Sequence, residues 1–175
     1  MIDLRRAEEI EKGVHRRGLM WLAEQASTCQ KIVELGSYHG RSARAMSDNS
    51  DAHLWCIDTW DWQCNGSQWK VTENDYEIFL KNLIDVQDRV TVLKMTTCDA
   101  IEYLAPGTFD MVFIDASHDY ESVRFDIVNY MPLLVPGGLL CGHDYLNGRP
   151  GVDKAVEELI YLLYKEPDAI WWTRV

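Results

Sequence analysis

Three features of the sequence predict a doubly wound α/β fold, with a mostly parallel sheet between two layers of helices. Short apolar runs alternate with segments of helical spacing along the chain. The first run, Lys31-Ile32-Val33-Glu34-Leu35, enters the glycine turn Gly36-Ser37-Tyr38-His39-Gly40 and then a helix. Several apolar runs finish on polar side chains: Glu34 with its turn, Asp58, Asp115, and the pair His143-Asp144. Alternating strands and helices require right-handed crossovers, which produce a parallel sheet covered on both faces. Ligands of such sheets bind outside the carboxyl ends of the strands, so these polar residues should converge on one crevice.

Each element follows from its periodicity. Leu4 to Ala26 places Ile10, Val14, Leu19, Leu22, Ala23 and Ala26 at helical spacing, and Gly13 and Gly18 divide the segment into two pieces. Lys31 to Leu35 is the first strand, a helix runs from Arg41 to Met46, and His53 to Ile57 is the second strand. Thr59 to Asn74 has no consistent period. A helix over Asp75 to Ile84 sets Tyr76, Phe79, Leu80 and Leu83 on one face, and Val90 to Leu93 is the third strand. Asp99 to Leu104 forms a short helix, Phe109 to Ile114 an apolar strand, and Glu121 to Leu134 a helix ended by Pro136-Gly137-Gly138. Leu139 to Gly142 is the fifth strand, Val152 to Tyr164 is helical, and Ala169 to Val175 is the last strand.

The 175 residues, 47% of them hydrophobic, suit one domain over 1–175, with 1–30 as a helical segment packed on it. A formal charge of −11 opposes binding to phosphate backbones, because that affinity comes from Lys and Arg displacing counterions, so no nucleic-acid partner is expected. The N-terminus is too charged for a signal peptide, and the apolar stretch from Leu133 to Gly142 is broken by Pro136-Gly137-Gly138; a soluble protein without a membrane partner follows. Five cysteines with no C-x-x-C pair indicate neither a disulfide framework nor a zinc knuckle, which fits a reducing, cytoplasmic setting.

The glycine turn and Asp58 together read as a nucleoside site. Gly36 and Gly40 let the backbone turn tightly and approach a ligand, and Asp58 offers two acceptor oxygens to a ribose diol. A dinucleotide fingerprint would need a glycine between them, and Ser37-Tyr38-His39 fill that interval, which argues against a pyrophosphate and a nicotinamide-dependent oxidoreductase. The pattern E-x-G-x-x-x-G at Glu34, Gly36 and Gly40 resembles the first motif of the class I S-adenosylmethionine-dependent methyltransferases. Phe109 to Tyr120, Leu134 to Tyr145 and Gly151 to Val156 then resemble F-D-x-x-F-I-D-x-x-H-x-Y, L-x-P-G-G with H-D-Y, and G-V-x-x-A-V of one subgroup, in order. That subgroup includes small-molecule and sugar O-methyltransferases, some dependent on magnesium.

The resemblance implies a Rossmann-like methyltransferase three-layer sandwich and S-adenosylmethionine as cofactor. It places the aminoacyl end over Glu34, Gly36, Ser37, Tyr38, His39 and Gly40, the ribose at Asp58, and the adenine at Thr97 and Asp99. Asp99 suits a helix cap equally well. Family members usually end in two strands after the last helix, whereas here only Ala169 to Val175 is evident, so the C-terminal strand region is expected to be shortened. The implied activity is O-methylation of a small hydroxylated acceptor such as a sugar or sugar-bearing metabolite. The alternative is a noncatalytic nucleoside-binding module.

Asp115, His143 and Asp144 are the candidate metal ligands. Carboxylates at two adjacent strand ends suit Mg²⁺, and an imidazole among them shifts preference toward Mn²⁺, zinc or no metal. Asp115 and Asp144 could instead cap loops and bind water or the methionine end of the cofactor, which makes Asp115 a cofactor-binding candidate as well. Methyl transfer to a hydroxyl needs its proton removed, so Asp115, His118 and His143 form the candidate catalytic group, His143 being the favoured base and Asp119 a further candidate. Ser117 stands where relatives often carry an acid. Trp60, Trp62, Trp69 and Tyr76 read as either loop packing or an acceptor lid, and Trp171-Trp172 as cover for the sheet edge or for a homodimer contact.

Overall fold

The computed structural model describes residues 1–61, 72 and 74–175. Among these, seven strands form one sheet: β1 (Lys31–Leu35), β2 (His53–Asp58), β3 (Val90–Lys94), β4 (Phe109–Ile114), β5 (Leu134–Gly142), β6 (Tyr164–Glu166) and β7 (Ile170–Arg174), in the order β3-β2-β1-β4-β5-β7-β6. The pairings among β1 to β5 are parallel, and β7 is antiparallel to both β5 and β6. The helices are α1 (Arg5–Glu9), α2 (Arg16–Ala26), α3 (Arg41–Asp48), α4 (Asp75–Asn82), α5 (Thr97–Ala100), α6 (Tyr120–Tyr130) and α7 (Pro150–Leu159). No helix of the described residues is long and apolar enough to cross a membrane.

The strand period of two separates two cores. Ile32, Leu54, Met111 and Leu139 lie in register and face the layer of α1 to α4. Val33, Trp55, Val112 and Leu140, one residue on, face α5, α6 and α7. This is the expected three-layer arrangement. The N-terminal segment does form two helical pieces, but Gly18 lies inside α2 rather than breaking it. A Cβ there would stand 2.5 Å from Val14 Cγ1 and 2.6 Å from Asp168 Oδ2, so close packing selects the glycine.

Other boundaries depart from the sequence reading. The helix expected to reach Leu134 ends at Tyr130, and Pro132 sits in a 3-10 turn over Met131–Leu133, since proline cannot continue α-helical hydrogen bonding. Pro136-Gly137-Gly138 lies within β5, which begins at Leu134, not Leu139. The β4–β5 register shifts there, and the Gly137 N–H bonds to the Val175 carbonyl. An irregularity in a strand tolerates a proline without a donor. The short helix begins at Thr97, not Asp99, because Thr96 supplies its cap. The final helix ends at Leu159, and Tyr164, read as its last residue, instead begins β6. Both closing strands are therefore present, the sixth foreshortened. Because β6 takes the edge, Trp171 is a core residue against α6 and α7, while Trp172 stacks on Tyr164 at 4.3 Å between centroids.

The turn after β1 is closely packed at Gly36, with φ +85°, where a Cβ would stand 2.1 Å from the Asp115 carbonyl oxygen. Gly36→Ala is expected to destabilise the protein by about 2–4 kcal/mol, combining the left-handed penalty with displacement of the end of β4. A denaturant midpoint equal to wild type would show that β4 can retreat without cost.

Candidate functional site

The site begins at the turn after β1. The Gly36 N–H donates to the Ile57 carbonyl at 2.8 Å and the Gly40 N–H to the Ser37 carbonyl at 2.7 Å, which closes the turn and starts α3. Gly40, with φ +83°, is the residue before α3, a left-handed position suited to glycine. Beneath the turn Glu34 is fully buried, and its Oε1 accepts from the Ser42 hydroxyl at 2.5 Å. Burial pushes its carboxyl up to about 7, the serine hydroxyls offsetting part of that. Glu34 thus forms the floor of the turn and ties β1 to α3.

Asp58, ending β2, grips both neighbouring loops. Its Oδ2 accepts from the Tyr38 N–H at 2.8 Å and its Oδ1 from the Trp60 N–H at 2.9 Å. Burial raises its pKa, and those backbone donors pull the other way. The Tyr38 ring stacks on His39 at 3.9 Å, and His39 Nε2 lies 2.9 Å from Asp75 Oδ1, so the turn is held to the start of α4. Trp60 is buried, donates from Nε1 to the Tyr38 carbonyl at 2.7 Å and packs on Tyr76 and Phe79. Trp60 itself is thus a buried packing residue and presents no exposed face to an acceptor. Trp62 and Trp69 lie outside the described residues.

Thr97 and Asp99 sit at the start of α5, beyond β3. The Thr96 hydroxyl accepts from the Asp99 N–H at 3.1 Å and donates to Asp99 Oδ2 at 2.7 Å, so Thr96, not Asp99, caps the helix, and the Asp99 carboxylate braces that cap. The Thr97 carbonyl accepts from the Tyr130 hydroxyl at 2.7 Å.

The catalytic candidates do meet. His118 Nε2 stands 2.7 Å from Asp144 Oδ2 and 3.9 Å from Asp115 Oδ1, and His143 Nδ1 stands 3.7 Å from Asp115 Oδ1 and 3.7 Å from Asp144 Oδ1. Burial opposes the charge on both rings, but the two carboxylates outweigh it, raising His118 to about 9 and His143 to about 11. In the same exchange Asp144, despite burial, is held far below the usual carboxylate range. At neutral pH, then, the geometry makes His143 a proton holder, and it would need to shed that proton before acting as a base. One atom each from Asp115, His118 and Asp144 lies within 4.8 Å of the others, a cation-sized grouping in which His118 takes the place expected for His143. Asp119 instead caps α6, accepting from the Ser122 N–H at 3.0 Å.

Two acids escaped the sequence reading. Asp168 Oδ2, in the β6–β7 turn, lies 3.8 Å from His143 Nε2, a proximity created by tertiary folding with no local signal. Asp126 is 1% exposed, and neither carboxylate oxygen has a well-directed hydrogen-bond partner. Its signal was available, since Val123, Asp126, Ile127 and Tyr130 share one buried helix face.

Comparison with known proteins gives the family and the fold. A family model described as a methyltransferase domain matches residues 33–145. An uncharacterised protein of Sinorhizobium fredii is 27% identical over 134 residues, and the match covers 71% of this chain and 14% of that relative's length. Among solved structures, the O-methyltransferase TomG of Streptomyces achromogenes, crystallised with S-adenosylmethionine, superposes with a TM-score of 0.71 at 18% identity, over 99% of this chain and 86% of that one. An O-methyltransferase of Bacillus cereus in complex with S-adenosylhomocysteine gives 0.64 at 17% identity, over 90% and 78%. A tRNA methyltransferase of Aquifex aeolicus gives 0.64 at 12% identity, over 98% and 75%. At these identities the structural likeness is one of fold.

Asp126 generates a pH prediction. Burial pushes its carboxyl up to about 7, the Thr97 hydroxyl offsetting a part. A folded pKa above the unfolded one means that its contribution is complete below about pH 4 and is lost as pH rises through the folded value. Asp126→Asn should therefore match wild type near pH 4 and exceed it by on the order of 2–4 kcal/mol near pH 8. Denaturation at both values checks this, and a gap that stays constant with pH would mean that Asp126 ionises freely.

Proposed function

The chain belongs to the methyltransferase-domain family, within the class I enzymes that use S-adenosylmethionine, and we propose that its acceptor is a hydroxyl oxygen of a small molecule such as a sugar or sugar-bearing metabolite. The observation that carries this reading is the contact between Gly36 and Asp115, which sets the glycine turn directly beside the cluster of Asp115, His118, His143 and Asp144. Cofactor and proton-handling groups then share one crevice. Two of the solved neighbours are named as O-methyltransferases, which supports oxygen as the methylated atom. The fold also serves a tRNA methyltransferase, but a charge of −11 favours a small acceptor over a polyanion.

In this reading the turn from Gly36 to Gly40 carries the aminoacyl end, with Glu34, Ser37, Tyr38 and His39 shaping it. Asp58 spends one lone pair of each oxygen on Tyr38 and Trp60, and a carboxylate has further acceptor sites for the ribose hydroxyls. Thr97 and Asp99 border the adenine. Attack on the sulfonium methyl requires an in-line hydroxyl that loses its proton during transfer. Asp115, His118 and Asp144 would hold a divalent cation, and two carboxylates with an imidazole suit Mn²⁺ better than Mg²⁺. When bound, such an ion supplies acidification of the acceptor hydroxyl. His143, facing the same carboxylates, orients the acceptor side.

Two measurements test the reading. Calorimetric titration should show S-adenosylmethionine binding to wild type and roughly ten- to 150-fold weaker binding to Asp58→Ala, the loss of a charge-assisted hydrogen bond. No binding by the wild type would sink the cofactor assignment, and an unchanged affinity in the variant would remove Asp58 from it. Release of S-adenosylhomocysteine over a panel of hydroxylated acceptors should stop after chelation and return with Mn²⁺, while cofactor affinity stays nearly intact. Full turnover by the metal-stripped protein would leave proton removal to the histidines alone.

A further inference from the structure

Asp168 belongs to none of the motifs, yet its carboxylate is built into the site from three directions. Its Oδ2 accepts from the His15 N–H, the residue that precedes α2, at 2.6 Å. The same oxygen stands where a Cβ on Gly18 would come within 2.6 Å, so α2 approaches as closely as a glycine allows. The turn carrying Asp168 has two successive left-handed residues, Asp168 with φ 67° and Ala169 with φ 57°. That conformation disfavours side chains, aspartate less than most. The Ala169 carbonyl accepts from the Tyr145 N–H at 3.0 Å, which ties the turn to the loop bearing His143 and Asp144.

The His143 ring lies between acids on opposite edges. Nδ1 faces Asp115 and Asp144, whereas Nε2, buried and without a directed hydrogen bond, faces Asp168 Oδ2 at 3.8 Å. A half-turn of the ring would put carbon edges toward these carboxylates. We propose that Asp168 is a positioning residue for His143: held by the His15 N–H, it selects the ring orientation that turns Nδ1 to Asp115 and Asp144, and it makes that orientation depend on docking of α2. The inference rests on the methyl-transfer reading only in treating the cluster as a reaction site.

Asp168→Asn separates the two links, because an amide oxygen can still accept from the His15 N–H while the charge facing Nε2 is gone. In ¹H–¹⁵N spectra of the imidazoles at one pH, the single His143 ring pattern of wild type should shift or double in Asp168→Asn, with melting temperature and α2 amide exchange unchanged. Asp168→Ala should shift the ring pattern and also speed exchange at Leu19 and Leu22. Ring signals identical to wild type in Asp168→Asn, or a crystal structure of the wild type with Nε2 turned from Asp168, would overturn the positioning role. Unchanged exchange in Asp168→Ala would overturn the link to α2. Titration of the same samples with S-adenosylmethionine is a separate arm: failure of the wild type to bind rejects the methyl-transfer reading and leaves the ring result standing.

Discussion

The missing side chain at Gly36 is the constraint from which the site follows. It lets the turn after β1 press against the end of β4, and the same strand ends are stapled in sequence: the Asp115 N–H donates to the Leu35 carbonyl at 2.8 Å, and the His143 N–H to the Ile114 carbonyl at 3.0 Å. Each bond extends a parallel ladder by one step beyond the regular strand. The glycine turn, Asp115 and His143 are thereby fixed relative to one another by backbone alone.

Gathering acids at adjacent strand ends is costly unless each is answered. Asp58 is answered by two backbone N–H groups, Asp168 by the His15 N–H, and Asp144 by His118 together with the Asn147 amide at 2.8 Å. Asp144 itself takes a left-handed φ of 63°, a strain that aspartate tolerates and that suits a site built for geometry rather than for stability. The imidazolium character of His118 and His143 is the other side of this balance. In the proposed reading, a cation entering the cluster would take over part of the neutralising role that the imidazoles otherwise supply.

What the sequence revealed depended on how local each determinant was. The five parallel strands were legible because each reads as a short apolar run, and polar residues after several of them pointed to one crevice at the carboxyl ends. Gly36 and Gly40 were legible because a tight turn demands them. By contrast, Pro136-Gly137-Gly138 looked like a helix stop, and only the pairing with Val175 and Arg174 shows it to be an irregular strand. The three-residue β6 carries too few residues for any period, and its pairing with β7 decides it. Asp168 could not be found locally, since its meaning lies in Gly18, His15 and His143, all remote in sequence. The choice of His118 over His143 in the cation grouping likewise turned on side-chain directions that spacing does not encode.

The electrostatic balance also bears on the proposed acceptor. The fold is shared with an enzyme whose substrate is tRNA, so the layers and strand order do not select what is methylated. Selection must come from the crevice, and here the carboxylates of Asp58, Asp115, Asp144 and Asp168 border it in a chain of net charge −11. A phosphorylated acceptor would bring further negative charge into that field, and repulsion between buried like charges grows as water is excluded. A neutral polyhydroxyl compound carries no such cost. In the proposed reading, the acidity that disfavours a polyanionic acceptor would likewise favour an uncharged, hydroxyl-rich small molecule over a phosphorylated one.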